Sequence, residues 1–280
     1  MLNRLSGKRF LELDEPERRE LFDAARAAVA DRVSESAVAG LPAAQRLTIG
    51  LLTDNHPDDL VRVAEWESSI ACRPRLTGLG WKDDGTLHLA FTAELGSGDG
   101  VIGVSTIDTS EGAHHTLAPA GLPEPLLQRF GAERLIGGAS PEKASAALVL
   151  RERSSGAEFR IPTESAVTPS DHGLTVTGTA DLDPATAVGG APLGDGVWDL
   201  SVRLSALGWA KSARLGSVRA DGVSEELTAV AHPTAPDRRI TPYWTNPQSD
   251  LSLRVAVPKA PKSTPKPGLL RRIARVVRGR

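Results

Sequence analysis

The chain has 280 residues, room for two domains, and no apolar run in it approaches the ~20 residues that a membrane-spanning helix needs. A single cysteine, Cys72, excludes an internal disulfide framework and fits a reducing compartment. The net charge of −2 is uneven: eight Lys or Arg and no acid lie from Lys259 to Arg280, leaving 25 basic against 35 acidic residues, or −10, over residues 1–258, which excludes a nucleic-acid footprint on the body.

Helix-favouring residues dominate the first quarter of the chain; Gly, Pro, Thr and alternating apolar residues dominate afterwards. This segregation predicts a mainly β protein: a short N-terminal helical segment (1–70) followed by two immunoglobulin-like antiparallel β-sandwich domains (71–156 and 157–258). Met1 to Phe10 carries Arg4, Lys8 and Arg9 but no apolar core of a signal peptide, so a cytoplasmic location is expected. Three helices are predicted over 9–69. Asp14 caps the first, with Glu15-Pro16 opening it, and its stripe is Leu21, Ala24, Ala25, Ala28, Val29 and Val33. Gly40-Leu41-Pro42 breaks the chain before a second helix with Leu47, Leu51 and Leu52. His56-Pro57 breaks it again, and Asp58 and Asp59 open a third helix through Leu60, Val63, Ala64 and Trp66. A helical piece this short must dock on something larger.

Lys82-Asp83-Asp84-Gly85 reads as a turn. Leu87, Leu89, Phe91, Ala93 and Leu95 then alternate with polar or small residues, which predicts a strand with one buried face. A further strand is expected within Val101–Ile107. Residues 110–143, with His114-His115, read as a Gly- and Pro-rich loop. Ala146–Arg151 and Glu158–Ile161 flank Ser154-Ser155-Gly156 as a hairpin or crossover. Leu87–Leu95 also aligns with Leu174–Leu182 at an offset of 87 residues, which suggests a repeated sandwich.

Gly196–Gly216 reads as two strands around Leu207-Gly208. Trp198 shares parity with Leu200, Val202 and Leu204 and belongs in the core. Trp209 shares its parity with Lys211 as well as Ala213 and Leu215, so it is either core or contact surface. Tyr243-Trp244 precedes the turn Asn246–Ser249, and Leu251, Leu253, Val255 and Val257 alternate inward. Trp209, Lys211, Arg214, Tyr243 and Trp244 are the candidate contact residues of a surface where aromatic faces and basic groups meet a polymer; the family resemblance below makes that polymer a glycan. Past Pro258, a Pro-rich linker leads to an amphipathic stretch whose Arg271, Arg272, Arg275 and Arg278 surround an apolar face, a pattern suited to an anionic membrane surface at the inner face of the plasma membrane.

No phosphate-binding Gly-rich loop, Gly-x-Ser-x-Gly elbow or His-Glu-x-x-His pair is present. Neither His114-His115 nor Asp181 with Asp183 makes a convincing metal set, so no catalytic residue, metal or cofactor is assigned.

A family resemblance rests on Asp183-Pro-Ala-Thr-Ala187, Pro192-Leu-Gly-Asp-Gly-Val-Trp-Asp-Leu-Ser-Val-Arg203, Gly208-Trp209, Arg214-Leu-Gly216, Tyr243-Trp-Thr245 and Leu251-Ser-Leu-Arg-Val255. These segments resemble the C-terminal β-sandwich region of actinobacterial family-2 glycosyltransferases related to the wall teichoic acid enzymes that glycosylate poly(ribitol phosphate). Phe10–Glu67, with its Arg-Phe-Leu, Glu-Arg and Leu-Pro-Ala elements, is similar to the helical linker of those enzymes. In those enzymes a nucleotide-sugar domain with an Asp-x-Asp motif is expected ahead of this linker, and these 280 residues do not include it. The resemblance implies a non-catalytic accessory region that engages an anionic glycopolymer, mediates oligomerisation, or does both, with an anionic glycopolymer, a glycosyltransferase catalytic domain or further copies of the chain as the expected partners. A purely structural module and a subunit of a split glycosyltransferase are the alternatives.

Overall fold

A computed structural model describes residues 2–30, 34–39, 41, 43–97, 100–101, 104–109, 112–117, 126, 143–170, 173–206 and 209–258. It is mainly β, with a helical N-terminal segment and two large antiparallel sheets. The tail with Arg271, Arg272, Arg275 and Arg278, and the turn at Leu207-Gly208, lie outside the described residues.

The helices are α1 (Gly7–Leu11), α2 (Glu15–Ala30), α3 (Glu35–Ala39), α4 (Ala43–Thr53) and α5 (Pro57–Ser69). The three predicted helices correspond to α2, α4 and α5. At the start of α2, Asp14 Oδ1 accepts from the Glu17 N–H at 2.9 Å and Glu17 Oε2 accepts from the Asp14 N–H at 3.1 Å, a reciprocal capping box. Pro57 opens α5, with Asp58 and Asp59 in its first turn. The stripe of α2 differs from the expected one: Phe22 and Ala25 are its buried residues, and Ala24 is exposed. Among residues at the core edge of α2, Phe22 hides much more apolar surface than an alanine, so it sets the rotation of the helix. Val33 is outside the described residues. None of the helices among the described residues is long and apolar enough to cross a membrane.

The first sheet contains β1 (Ile70–Trp81), β2 (Leu87–Ser97), β3 (Gly100–Val101), β8 (Thr163–Ser170) and β9 (Gly173–Leu182), ordered β1-β2-β9-β8 with β3 on β2. The second contains β6 (Ser145–Glu152), β7 (Glu158–Ile161), β10 (Gly196–Ala206), β11 (Trp209–Arg214), β12 (Val230–His232), β13 (Ala235–Trp244) and β14 (Leu251–Ala256), ordered β12-β13-β14-β10-β6-β7 with β11 also on β10. A separate hairpin joins β4 (Val104–Thr109) to β5 (Gly112–Leu117). His114 and His115 lie in β5, opposite Ile107 and Thr106, and not in a loop.

Sheet membership does not follow the division expected at residue 156. That position lies in the hairpin between β6 and β7, and the chain changes sheet around Pro162. The apparent repeat has the same explanation. Leu87–Glu94 pairs antiparallel with Leu182–Thr175, so the two similar segments are neighbouring strands of one sheet. A period-2 pattern reads the same in both directions, and two strands that share one buried face carry the same pattern.

The two sheets face each other across a single core. Leu87, Leu89, Phe91, Ala93, Leu174 and Val176 come from one sheet, and Leu148, Leu150, Trp198, Leu200, Val202 and Leu253 from the other. Trp198 is buried as its parity predicts, with its Nε1–H donating to Gly194 O at 2.9 Å. Val257, expected to face inward, lies past the end of β14 and is 56% exposed.

Phe91 and Gly178 are register partners, and the Phe91 ring lies over the glycine. A Cβ at residue 178 would stand 2.4 Å from the ring tip, and Phe91 is fully buried, so the ring has nowhere to go. Gly178→Ala is expected to cost about 2 kcal/mol through overpacking, measured by chemical denaturation. A change within error would show that the ring can move.

Candidate functional site

Strand alternation sorts the second sheet into two faces. Trp198, Leu200, Val202 and Leu204 of β10 point into the core, so Asp199, Ser201 and Arg203 point outward. Register carries this assignment across the sheet. Tyr243, Ser252, Asp199, Arg151 and Glu158 form one row from β13 to β7. Arg254 and Thr241 lie in the next row, and Arg239 beyond them. On the other side, Arg214, Ser201, Val149 and Arg160 are aligned. Among the described residues the outward face thus presents Arg151, Arg160, Arg203, Arg214, Arg239 and Arg254, and Arg153 reaches it from the end of β6. Asp199, Glu158, Asp250 just before β14 and, at the far end of β13, Asp237 are the acids there.

Asp199 organises the middle of this face. Its carboxylate accepts from Arg153 Nη2 at 2.6 Å and Nε at 3.2 Å, and from Ser252 Oγ at 2.9 Å. Arg214 Nη1 stands 3.1 Å from it. Burial by itself raises the Asp199 carboxyl, but the hydrogen bonds from Arg153 and Ser252 and the charges of Arg214 and Arg153 outweigh it and hold the group below the usual carboxylate range. Arg214 also donates to Leu200 O, Leu251 O and Ser252 Oγ, which fixes its guanidinium in place. Arg254 stacks over the Tyr243 ring at 5.0 Å.

The five residues singled out from the sequence do not form one cluster. Arg214 and Tyr243 lie on the arginine face. Trp209 and Lys211 lie on the opposite face of β11, against α5. Trp209 is 9% exposed and meets Trp66 edge-to-face, with centroids 5.3 Å apart at 88°. A ring held this way offers no face to a sugar. Lys211 Nζ donates to Glu67 O at 2.7 Å near the C-terminus of α5, where a cation suits the helix dipole. Trp244 has inward parity at the sheet edge; Arg219 lies 4.3 Å over its ring and its Nε1–H donates to Glu225 O at 3.1 Å.

Arg151, Arg153, Arg160, Arg203, Arg239 and Arg254 were not singled out from the sequence. The signal was local but scattered. Arg203 sits between Val202 and Leu204, and Arg254 between Leu253 and Val255, each at the polar position of an alternating strand. Only the register shows that these positions converge. Asp181 accepts from Lys82 Nζ at 2.6 Å and contacts His88 Nδ1 at 2.7 Å, while Asp183 accepts from the Ala185 N–H and Thr186 Oγ1. Among the described residues no three His, Cys, Asp or Glu side chains are grouped to hold a metal ion.

Residues 1–64 match the glycosyl transferase TarS linker domain, and residues 137–255 match TarS beta-glycosyltransferase C-terminal domain 1. Among solved structures, the crystal structure of S. aureus TarS aligns at 13% identity over 92% of this chain, with a TM-score of 0.38. The structure of S. aureus TarS 217–571 aligns at 14% identity over 90% of this chain and 65% of its own, with a TM-score of 0.36. The chain spans 43% of the length of the first of these. No curated protein matches the chain. The two domain matches together cover more than half of the sequence, in the order linker then C-terminal domain, and the chain belongs with the C-terminal regions of the TarS-type teichoic acid glycosyltransferases.

Proposed function

We propose that this chain is an accessory region of a cell-envelope glycosyltransferase, and that the arginine face of its second sheet holds an anionic glycopolymer for a catalytic domain. The observation that supports this most is the concentration of seven arginines on one sheet face of a body whose formal charge over residues 1–258 is −10. Interspersed lysines, glutamates and threonines are the ordinary outfit of a solvated face; a face of guanidinium groups suits repeated phosphate groups. Guanidiniums already fixed by Asp199, Ser252 and Tyr243 lose little side-chain freedom on binding. This reading keeps Arg214 and Tyr243 as contact residues and releases Trp209, Lys211 and Trp244 to structural roles.

The test is binding of a phosphodiester-linked polyol, poly(glycerol phosphate), to the full chain. Arg151→Glu, Arg160→Glu and Arg254→Glu together are expected to weaken binding by roughly 10–100-fold and to flatten its salt dependence. The same reversal at Arg18, Arg19 and Arg62 on the helices is expected to change it by no more than about twofold, since those charges lie away from the face. Equal losses from both sets would refute the assignment.

A further inference from the structure

Beside Arg214 the outward face turns a corner. Leu76 N–H donates to Val218 O at 3.0 Å and Ala220 N–H donates to Leu76 O at 2.8 Å, which stitches the outer edge of β1 to the segment after β11. Where the edges of the two sheets meet, a groove of about 1010 Å³ runs from Arg214 to the outward side of the first sheet. Its chemistry differs from that of the arginine face. Arg73, Arg75 and Arg214 supply cations, Arg73 as the register partner of Glu94, but Glu94 and Asp250 place carboxylates in the same groove, and Val218, 53% exposed, adds an apolar spot. Thr175 Oγ1 donates to Glu94 Oε1 at 2.7 Å, which positions that carboxylate from the neighbouring strand.

We infer that this groove is a specificity subsite that selects a hydroxyl-rich anionic chain over a bare polyanion. This rests on the reading of the arginine face as a polymer-binding surface and extends it around the corner. Carboxylates are acceptors only. A phosphate oxygen brought beside Glu94 or Asp250 is repelled, whereas a polyol or sugar hydroxyl donates to them in a charge-assisted hydrogen bond. Arg75 and Arg214 then take the phosphates on either side of that hydroxylated unit, and Val218 packs on its C–H surface. A site that combines a rewarded hydroxyl with a penalised anion discriminates by both terms at once. The arginine face reads charge alone, and the groove reads what lies between the charges.

The experiment compares poly(glycerol phosphate) with inorganic polyphosphate, which has no hydroxyl-bearing carbon chain, at equal phosphate concentration on the full chain. The basic tail is common to every variant, so differences between variants report the body. The wild type is expected to prefer poly(glycerol phosphate) by at least roughly tenfold. Glu94→Gln with Asp250→Asn, which keeps shape and removes the negative charge, is expected to abolish the preference by strengthening polyphosphate binding and weakening that of poly(glycerol phosphate). Asp250→Asn alone, at a half-buried surface position, guards against a misfolded double variant and is expected to lose about half of the preference on a logarithmic scale. A wild type without preference, or variants that keep it, overturns the groove assignment while leaving the arginine face standing. Failure of the wild type to bind either polymer overturns both.

Discussion

Asp199→Ala is expected to destabilise the protein by about 3 kcal/mol, near the lower end of the range for breaking a buried ion pair from one side. Asp199 is 5% exposed and is the shared acceptor of Arg153, Arg214 and Ser252. Removing it leaves two guanidiniums facing each other across the centre of the sheet. The Arg153 and Arg214 side chains keep 48% and 31% of their exposure, so water takes up part of what the carboxylate held, which places the effect at the lower end. For a chain of this size the expected fall in Tm is roughly 8 °C. Asp199→Asn keeps the shape and an acceptor for one of the two hydrogen bonds from Arg153 while losing the charge and the second acceptor, and should lie between wild type and alanine. Thermal denaturation decides the matter: a fall under about 1 kcal/mol for alanine would mean that the arginines repel less than the geometry implies.

Glu67→Gln is expected to stabilise the protein above neutral pH. Glu67 is 4% exposed near the C-terminus of α5. Burial pushes its carboxyl from the ordinary 4.5 up to about 7, against the opposing pull of the Lys211 charge and of a hydrogen bond from the Gly7 backbone. Lys211 is lowered by its own burial despite the nearby acid. The folded state therefore holds the Glu67 proton more tightly than the unfolded chain does. Its contribution is fully present below pH 4.5 and is lost as pH rises to about 7. The full span corresponds to about 3 kcal/mol. Glutamine mimics the protonated acid, so the variant should match wild type near pH 4 and exceed it by up to about 3 kcal/mol at pH 8, with the slope between removed. Urea denaturation across that range is the measurement. Parallel profiles for the two proteins would show that Glu67 reaches water and titrates normally.

Local patterns were legible where they reported on one element at a time. The Asp14 cap, the Pro57 start of α5, the strands flanking Ser154-Ser155-Gly156 and the core position of Trp198 follow from spacing and parity. What the sequence left unsaid concerns partners distant along the chain. Trp209 has an ambiguous parity because its covering group, Trp66, comes from a helix well over a hundred residues earlier. The arginine face was invisible because its members come from β6, β7, β10, β11, β13 and β14, and no single strand carries more than two of them. Alternation tells which side of a strand a residue takes, while pairing decides which residues meet there.

The exchange of strands between the two halves of the chain also constrains how the molecule is made. Thr175 and Glu94, adjacent in the first sheet, are 81 residues apart in sequence. The apolar side of β2 thus has to wait, during synthesis, for β9 to emerge, and the second sheet waits longer still, for β14 to reach β10. Contacts of this range close slowly because loop entropy is spent before any packing is gained. The helices, with their short-range contacts, form early beside an unfinished β-structure. A ribosome-bound chain that stops short of β14 therefore carries a first sheet whose strands have all emerged, facing a second sheet that is still unfinished, instead of one finished domain.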